Sequence, residues 1–221
     1  MIVTIDGPAG AGKSSAAREL AGRLGFDFLD TGAMYRAVTL AGLRSGCDLA
    51  DIMAVRPLLA GMNLEMPGNK VILDGEDISE AIRKPEVTAA SGATASNLTV
   101  RAHLVEQQRR LAHGRNIVCE GRDQGTVVFP DARCKFFLSA DPVERARRRQ
   151  RELQERGEHL EADAVLQAQE ERDRRDSARA VGPMVPAADA VLLDSTHMSL
   201  DQVVSAMEQI VRNRMQIADD A

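Results

Sequence analysis

Short apolar runs recur along the chain, each stopped by Gly, Asp or Pro: Ile2–Ile5, Phe26–Leu29, Asn116–Cys119, Cys134–Leu138 and Ala190–Leu193. Runs this short, and bounded in this way, mark strands buried on both faces. Between them, Lys13–Leu24, Ala33–Arg44, Val100–His113, Val143–Arg156, Ala162–Arg179 and Leu200–Arg212 carry apolar residues at helical spacing. The resulting βαβα order predicts an α/β fold, a doubly wound, parallel, five-stranded sheet with right-handed crossovers. One segment breaks the rhythm. Residues 63–79 read Leu-Glu-Met, then Pro-Gly-Asn, then Val-Ile-Leu-Asp-Gly-Glu-Asp-Ile, which predicts two short strands around a turn. Residues 58–98 are therefore read as a subdomain inserted into a single domain, 1–221. The tail after Arg214 is expected to fray.

Composition narrows the classes. A chain of 221 residues buries a substantial core, and a second full domain is not expected. The first residues lack a charged stretch followed by an apolar one, and no run reaches about eighteen apolar residues. The expectation is a cytoplasmic protein without a membrane partner. Cys47, Cys119 and Cys134 are odd in number and widely spaced, which favours buried free thiols over disulfides or zinc. The four histidines form no metal-spaced pair, so any metal is expected to arrive with a ligand.

Net charge is −5, yet Arg145–Arg156 (RARRRQRELQER) is strongly basic and Gln169–Arg179 (QEERDRRDSAR) is densely mixed. A nucleic-acid surface would usually add stacking aromatics, whereas this chain has one Tyr, five Phe and no Trp. Mononucleotide phosphates suit these arginines better. A solvated helix face laced with i,i+4 ion pairs is the alternative.

The sharpest chemical signal follows the first strand: Gly7-Pro8-Ala9-Gly10-Ala11-Gly12-Lys13-Ser14, a G-x-x-x-x-G-K-[ST] phosphate loop between strand and helix. Its glycines let successive N–H groups converge on phosphate oxygens, and the following helix adds the positive end of its dipole. Lys13 is placed to bridge β- and γ-phosphates, and Ser14 to offer its hydroxyl to Mg²⁺.

Three further groups define an acceptor. Asp30-Thr31-Gly-Ala-Met-Tyr35-Arg36 follows the second strand, where ligands gather beyond the carboxyl edge of an open sheet. Thr31 either caps the helix or binds a phosphate, and Arg36 follows about one turn later. Glu120-Gly-Arg122-Asp123-Gln-Gly-Thr126 follows the third strand. Arg122 offers a fork for phosphate. Asp123 either forms a turn contact or accepts from an exocyclic amine, as carboxylates do from cytosine N4. Arg172, Asp176 and Arg179 have i, i+4, i+7 spacing and line one helix face.

With these blocks in view, the sequence resembles the bacterial cytidylate kinases from Ile2 to Ile210. The matching stretches are IDGPAGAGKSS, LDTGAMYRA, LDGEDIS, EGRDQGTVVFPDA, KFFLSAD, ERDRRDSARAVGPMVPAADA and LLDST. The resemblance implies transfer of the ATP γ-phosphoryl to CMP or dCMP with Mg²⁺, in a nucleoside monophosphate kinase fold with an acceptor-binding insert and a short lid, here 145–160. It further implies Thr31, Arg36, Arg122 and Arg179 as acceptor-phosphate ligands, Ser91, Arg101 and Asp123 as cytosine readers, and Arg172 and Asp176 as sugar contacts. The ATP side would be Gly7–Ser15 with Arg148 and Arg149 of the lid, in a monomer. GKSS leaves Ser14 and Ser15 both open as the metal ligand, and the loop pattern favours Ser14.

A kinase for another acceptor, such as UMP or shikimate, would keep the loop and change the pocket. A nucleotide-dependent switch would add base-reading motifs, and no N-K-x-D guanine motif is present.

Overall fold

The computed structural model describes residues 1–68, 70–155 and 157–219. Arg156, the last arginine of the basic run, and Asn69, in the expected insert turn, lie outside the described residues. The chain divides into two compact units, residues 1–28 with 114–221, and residues 29–113.

The strands are β1 (Ile2–Asp6), β2 (Asp27–Asp30), β3 (Leu64–Glu65), β4 (Ile72–Leu73), β5 (Glu76–Asp77), β6 (Ile117–Glu120), β7 (Cys134–Ser139) and β8 (Val191–Asp194). The helices are α1 (Lys13–Leu24), α2 (Thr31–Ser45), α3 (Val55–Gly61), α4 (Pro85–Ser96), α5 (Leu98–Ala112), α6 (Pro142–Glu155), α7 (Ala162–Ser177) and α8 (Leu200–Asp219). Five strands form one sheet in the order β2-β6-β1-β7-β8, the non-sequential order of a doubly wound fold. Strand β1 pairs in parallel with β6 and β7, through Val3↔Val118 and Val3↔Cys134, and β7 pairs in parallel with β8.

Alternation along β1 decides what each face does. Val3 and Ile5 join Phe136 and Leu138 of β7 against Ala16, Ala17 and Leu20 of α1 and Val203, Val204 and Met207 of α8. Burying each of these larger aliphatic side chains contributes about 1.5–3 kcal/mol. Thr4 and Asp6 point the other way and are equally buried. The polar face lies under a turn of π-helix, Gln124–Val128, whose Gly125 is tightly packed: an added Cβ would sit 3.0 Å from Thr4 Oγ1 and 3.4 Å from Asp6 Oδ2, and these side chains would have to give way.

In the second unit, Ala33, Ala37 and Leu40 of α2 pack with Val71, Leu73, Ile78, Ile82 and Val87. Residues 63–79 form three short antiparallel strands, β3-β4-β5, in place of the expected two. Helix α4 was not anticipated, because Thr-Ala-Ala-Ser-Gly-Ala-Thr-Ala-Ser offers small residues and no apolar stripe. Helix α8 corrects the expectation of fraying beyond Arg214: it continues to Asp219. Helix α7 ends at Ser177, so Arg179 does not share its face as predicted and instead turns back from beyond its end. Among the described residues, no helix is long and apolar enough to cross a membrane.

Candidate active site

The loop between β1 and α1 has the geometry its sequence implies. Gly7, Gly10 and Gly12 all hold positive φ, at 139°, 75° and 87°. At Gly7 no other residue fits, since an added Cβ would lie 2.0 Å from the backbone oxygen of Leu138. Gly12 is the N-cap of α1 and supplies no side-chain cap, which leaves the first-turn N–H groups to meet an anion at the positive end of the helix dipole.

Lys13 is 5% exposed and donates from Nζ to the carbonyl of Pro8, 2.7 Å away across the loop. Burial, and after it the Arg122 charge, hold this ammonium well below the ordinary lysine range; Glu120 opposes the shift, and Arg172 adds to it. A nucleotide phosphate would relieve that crowding of cations.

Two carboxylates at strand ends organise the surroundings, and neither was assigned a role from sequence. Glu120, closing β6, accepts from the Ser14 hydroxyl at 2.5 Å. Asp6, closing β1, accepts the N–H groups of Gln124 (2.9 Å) and Gly125 (2.8 Å) and so fixes the turn that follows Asp123. Burial raises the Asp6 carboxyl to about 6, against the two backbone hydrogen bonds that favour its ionised form. Strand-terminal position was the available signal, since both residues sit at the carboxyl edge of a parallel sheet.

In the same unit, Asp176 gathers two arginines. Arg122 donates from Nε to Oδ2 at 3.0 Å, and Arg179 donates from Nη2 to Oδ1. The carboxylate is 6% exposed, and the guanidiniums are 18% and 12% exposed, so the cluster is nearly dry. Arg122 thus bonds a carboxylate of α7, and its neighbour Asp123 is itself 4% exposed. Arg172 lies close enough to Lys13 to act on its charge. Lys13, Ser14, Arg122, Arg172, Asp176 and Arg179 thus belong to one polar network.

Arg148 and Arg149 are not free over the loop. Arg148 donates to Ser195 Oγ (3.1 Å) and to the Ser195 carbonyl (2.7 Å), beyond β8, while Arg149 pairs with Glu152 on its own helix. Ser14 and Ser15 are both exposed on α1, and the Ser14 hydroxyl donates to Glu120. Arg145, grouped with them in the basic run, is 6% exposed and bound to the backbone.

The second unit holds the remaining predicted residues. Asp30, not Thr31, caps α2: its carboxylate accepts from Ala33 N–H at 2.7 Å and from Arg36 at 3.2 Å. The capping role foreseen for Thr31 therefore falls away, and the residue is 2% exposed inside the first turn. Arg101 on α5 is 4% exposed, with its guanidinium 5.9 Å from the ring centroid of Tyr35 and Nη1 donating to Ala95 O. Ser91 on α4 donates to Thr88 O at 2.8 Å. Asn97 sets the start of α5, accepting from Thr99 and Val100 N–H while its amide donates to Leu49 O.

Comparisons with known proteins follow the same lines. The family model described as cytidylate kinase matches residues 3–213. A cytidylate kinase of Rhodopirellula baltica is 49% identical over 216 residues, covering 98% of this chain and 94% of its own. One from Pelotomaculum thermopropionicum is 50% identical over 207 residues, covering 91% and 92%. A third, from Vibrio cholerae, is 44% identical over 218 residues and covers 97% of each chain. Among solved structures, an uncharacterized protein from Eubacterium ventriosum aligns over 98% of both chains with a TM-score of 0.51 at 12% identity, a likeness of fold alone. On the match of nearly the whole chain to one family model, and on relatives near half identity along their full length, the chain belongs to the cytidylate kinase family.

Proposed function

We propose that this chain transfers the γ-phosphoryl group of ATP to CMP or dCMP, forming ADP and CDP or dCDP, with Mg²⁺ carried by the nucleotide. The observation that carries the reading is the uncapped start of α1, with Lys13 buried among cations, in a chain of this family. Ser14 offers a hard oxygen donor, and Glu120, bonded to its hydroxyl, an anionic neighbour, chemistry that suits Mg²⁺. When bound, the ion would neutralise charge shared by the β- and γ-phosphates.

The chain's own part is positioning and charge. Within Gly7–Ser14, the backbone N–H groups of Gly10–Ser14 hold the donor phosphates, and Lys13 follows the charge that grows on the β–γ bridge. Arg122 and Arg179, aligned by Asp176, and Arg36, held by Asp30, bind the acceptor phosphate. That acceptor oxygen is already anionic near neutral pH, so no general base is required. Asp123, Ser91 and Arg101 read the cytosine, with Asp123 accepting from its 4-amino group; Arg172 and Asp176 meet the sugar. Thr31 adds a hydroxyl to the phosphate set. The segment 145–160 is proposed to act as a lid, with Arg148 and Arg149 released from their present partners toward ATP. The protein is proposed to work as a cytoplasmic monomer.

The test is ADP formation with ATP and each of CMP, dCMP, UMP, AMP and shikimate, against ATP alone. CMP and dCMP should exceed every other acceptor in kcat/KM. Preference for UMP or shikimate would remove the assignment of Asp123, and ADP release independent of any acceptor would remove the kinase reading.

A further inference from the structure

The phosphate loop is gripped from the side by an ion pair that phosphoryl transfer does not call on. Arg145, in the first turn of α6, and Asp173, on α7, meet at 2.5 Å, with side chains 7% and 15% exposed. Between them they take both backbone polar groups of Ala9. Asp173 Oδ1 accepts the Ala9 N–H at 3.1 Å, and Arg145 Nη1 donates to the Ala9 carbonyl at 2.9 Å. Arg145 is itself fixed by its Nε, which donates to Ala140 O at 3.1 Å. The same two helices crowd the next residue: a Cβ on Gly10 would lie 2.6 Å from Gln169 Nε2 of α7 and 3.0 Å from the Arg145 carbonyl of α6.

A loop of Gly, Pro and Ala has no side chains with which to hold its own shape, and its glycines reach many backbone conformations. A phosphate cradle nevertheless works only while its N–H groups point in set directions, because the orientation must exist before the ligand arrives. Ala9 is the third residue of this loop, and its one-carbon side chain forms no hydrogen bond that would fix it. An anchor must come from outside, and one charged pair bonded to both its N–H and its C=O fixes the rotation of the peptide units on either side. Charge-assisted hydrogen bonds in a nearly dry setting are the strong kind.

From this geometry we propose that Asp173 and Arg145 are positioning residues for the ATP-binding loop, acting through the backbone of Ala9. The inference rests on the reading of Gly7–Ser14 as the ATP phosphate site. It also separates Arg145 from the lid arginines, since its guanidinium is committed to the loop it would otherwise have to close over.

The experiment is ADP binding by isothermal titration calorimetry without acceptor, on wild type and on Asp173→Ala, Asp173→Asn, Arg145→Met and Arg145→Gln, well below each variant's melting temperature. Asp173→Ala and Arg145→Met should each weaken ADP by about tenfold, the effect of losing one charge-assisted hydrogen bond at the cradle. Their double variant should be no weaker than either alone, because the pair acts as a unit. Asp173→Asn keeps an acceptor for Ala9 N–H but turns its N–H₂ on Arg145, so its ADP affinity should fall between wild type and Asp173→Ala, a partial rescue that a general packing role would not give. In turnover, KM for ATP should rise while KM for CMP holds. ADP affinity within twofold of wild type in both truncations would overturn the proposal, as would a loss confined to KM for CMP. Should a truncation fail to fold, Arg145→Gln decides: its uncharged amide ends about where Nε now stands, short of Ala9 O, so unchanged ADP affinity in it would likewise overturn the proposal. Failure of the kinase reading would show differently, as wild type that forms no ADP in response to CMP.

Discussion

Replacing Asp176 with Asn tests the arginine cluster most directly, because it keeps the volume and removes the charge. The carboxylate bonds two guanidiniums through separate oxygens, Arg122 at 3.0 Å and Arg179 from beyond the end of α7. An amide accepts through one oxygen only, so one arginine would face the amide N–H₂ and both would keep their charge in a setting 12–18% exposed. Breaking a buried pair costs about 3–5 kcal/mol, and partial exposure of the arginines sets the expectation near the lower end, about 3 kcal/mol. For a chain of this size that corresponds to a melting temperature about 6–12 °C lower, at 2–4 °C per kcal/mol. Activity should fall on the acceptor side. If each arginine loses about 1.5 kcal/mol of alignment toward the phosphate, kcat/KM for CMP falls by roughly 10²-fold while KM for ATP holds. Urea unfolding and steady-state kinetics of the same preparation read both quantities. Stability within about 0.5 kcal/mol of wild type, together with a CMP efficiency within threefold, would refute the claim that Asp176 aligns these arginines.

Three further substitutions probe other parts of the site. Lys13→Met should lower turnover by about 10³-fold without loss of stability, since an ammonium whose pKa is depressed by burial and by Arg122 weakens the fold at pH 7; activity within threefold of wild type would sink its role. Asp123→Asn should cut CMP efficiency by about 10²-fold while UMP falls less or rises, because the amide can turn its N–H toward uracil O4; an unchanged CMP/UMP ratio would make Asp123 a turn residue. Asp6→Asn should flatten the pH dependence of stability. The folded carboxyl titrates at about 6 and the unfolded one at 3.8, so its contribution is complete below pH 4 and is lost as pH rises through 6. Roughly two units amount to about 3 kcal/mol at most, and the variant should gain that relative to wild type between pH 4 and 8; a pH-independent difference would show Asp6 ionised in the fold.

Five strands, six helices and the phosphate loop were legible because each rests on local spacing. Residues 63–96 were harder, since β3, β4 and β5 are two residues each, too short for an alternation to declare itself, and α4 has small residues where a stripe would be. Thr31 drew attention as a cap because Thr often serves there, but Asp30 one residue earlier has the carboxylate within 2.7 Å of Ala33 N–H. The run of arginines after residue 145 gave no sign of which would turn inward. Burial settles it: Arg145 and Ala146 share the inner side with Leu153, while Arg147 and Arg151 face solvent. Ser14 and Glu120, at 2.5 Å, are separated by 106 positions, and no local pattern joins them.

One feature of the site was printed along the chain in plain view. β1 ends in Asp6, β2 in Asp30, β6 in Glu120 and β8 in Asp194, so four of the five strands of the main sheet close on a carboxylate at the edge where an anionic substrate is expected. Charges of that sign aimed at phosphate would oppose binding by several kcal/mol at short range. Each is instead spent on protein. Asp6 holds two backbone N–H groups after Asp123, Asp30 caps α2 and pairs with Arg36, Glu120 takes the Ser14 hydroxyl, and Asp194 holds both N–H and hydroxyl of Thr196. The strand-end acids therefore shape the loops, and Lys13 with the arginines carries the positive charge those loops present. A site for two anionic nucleotides needs both sets, because cations crowded without such anchors would repel one another before any phosphate arrived.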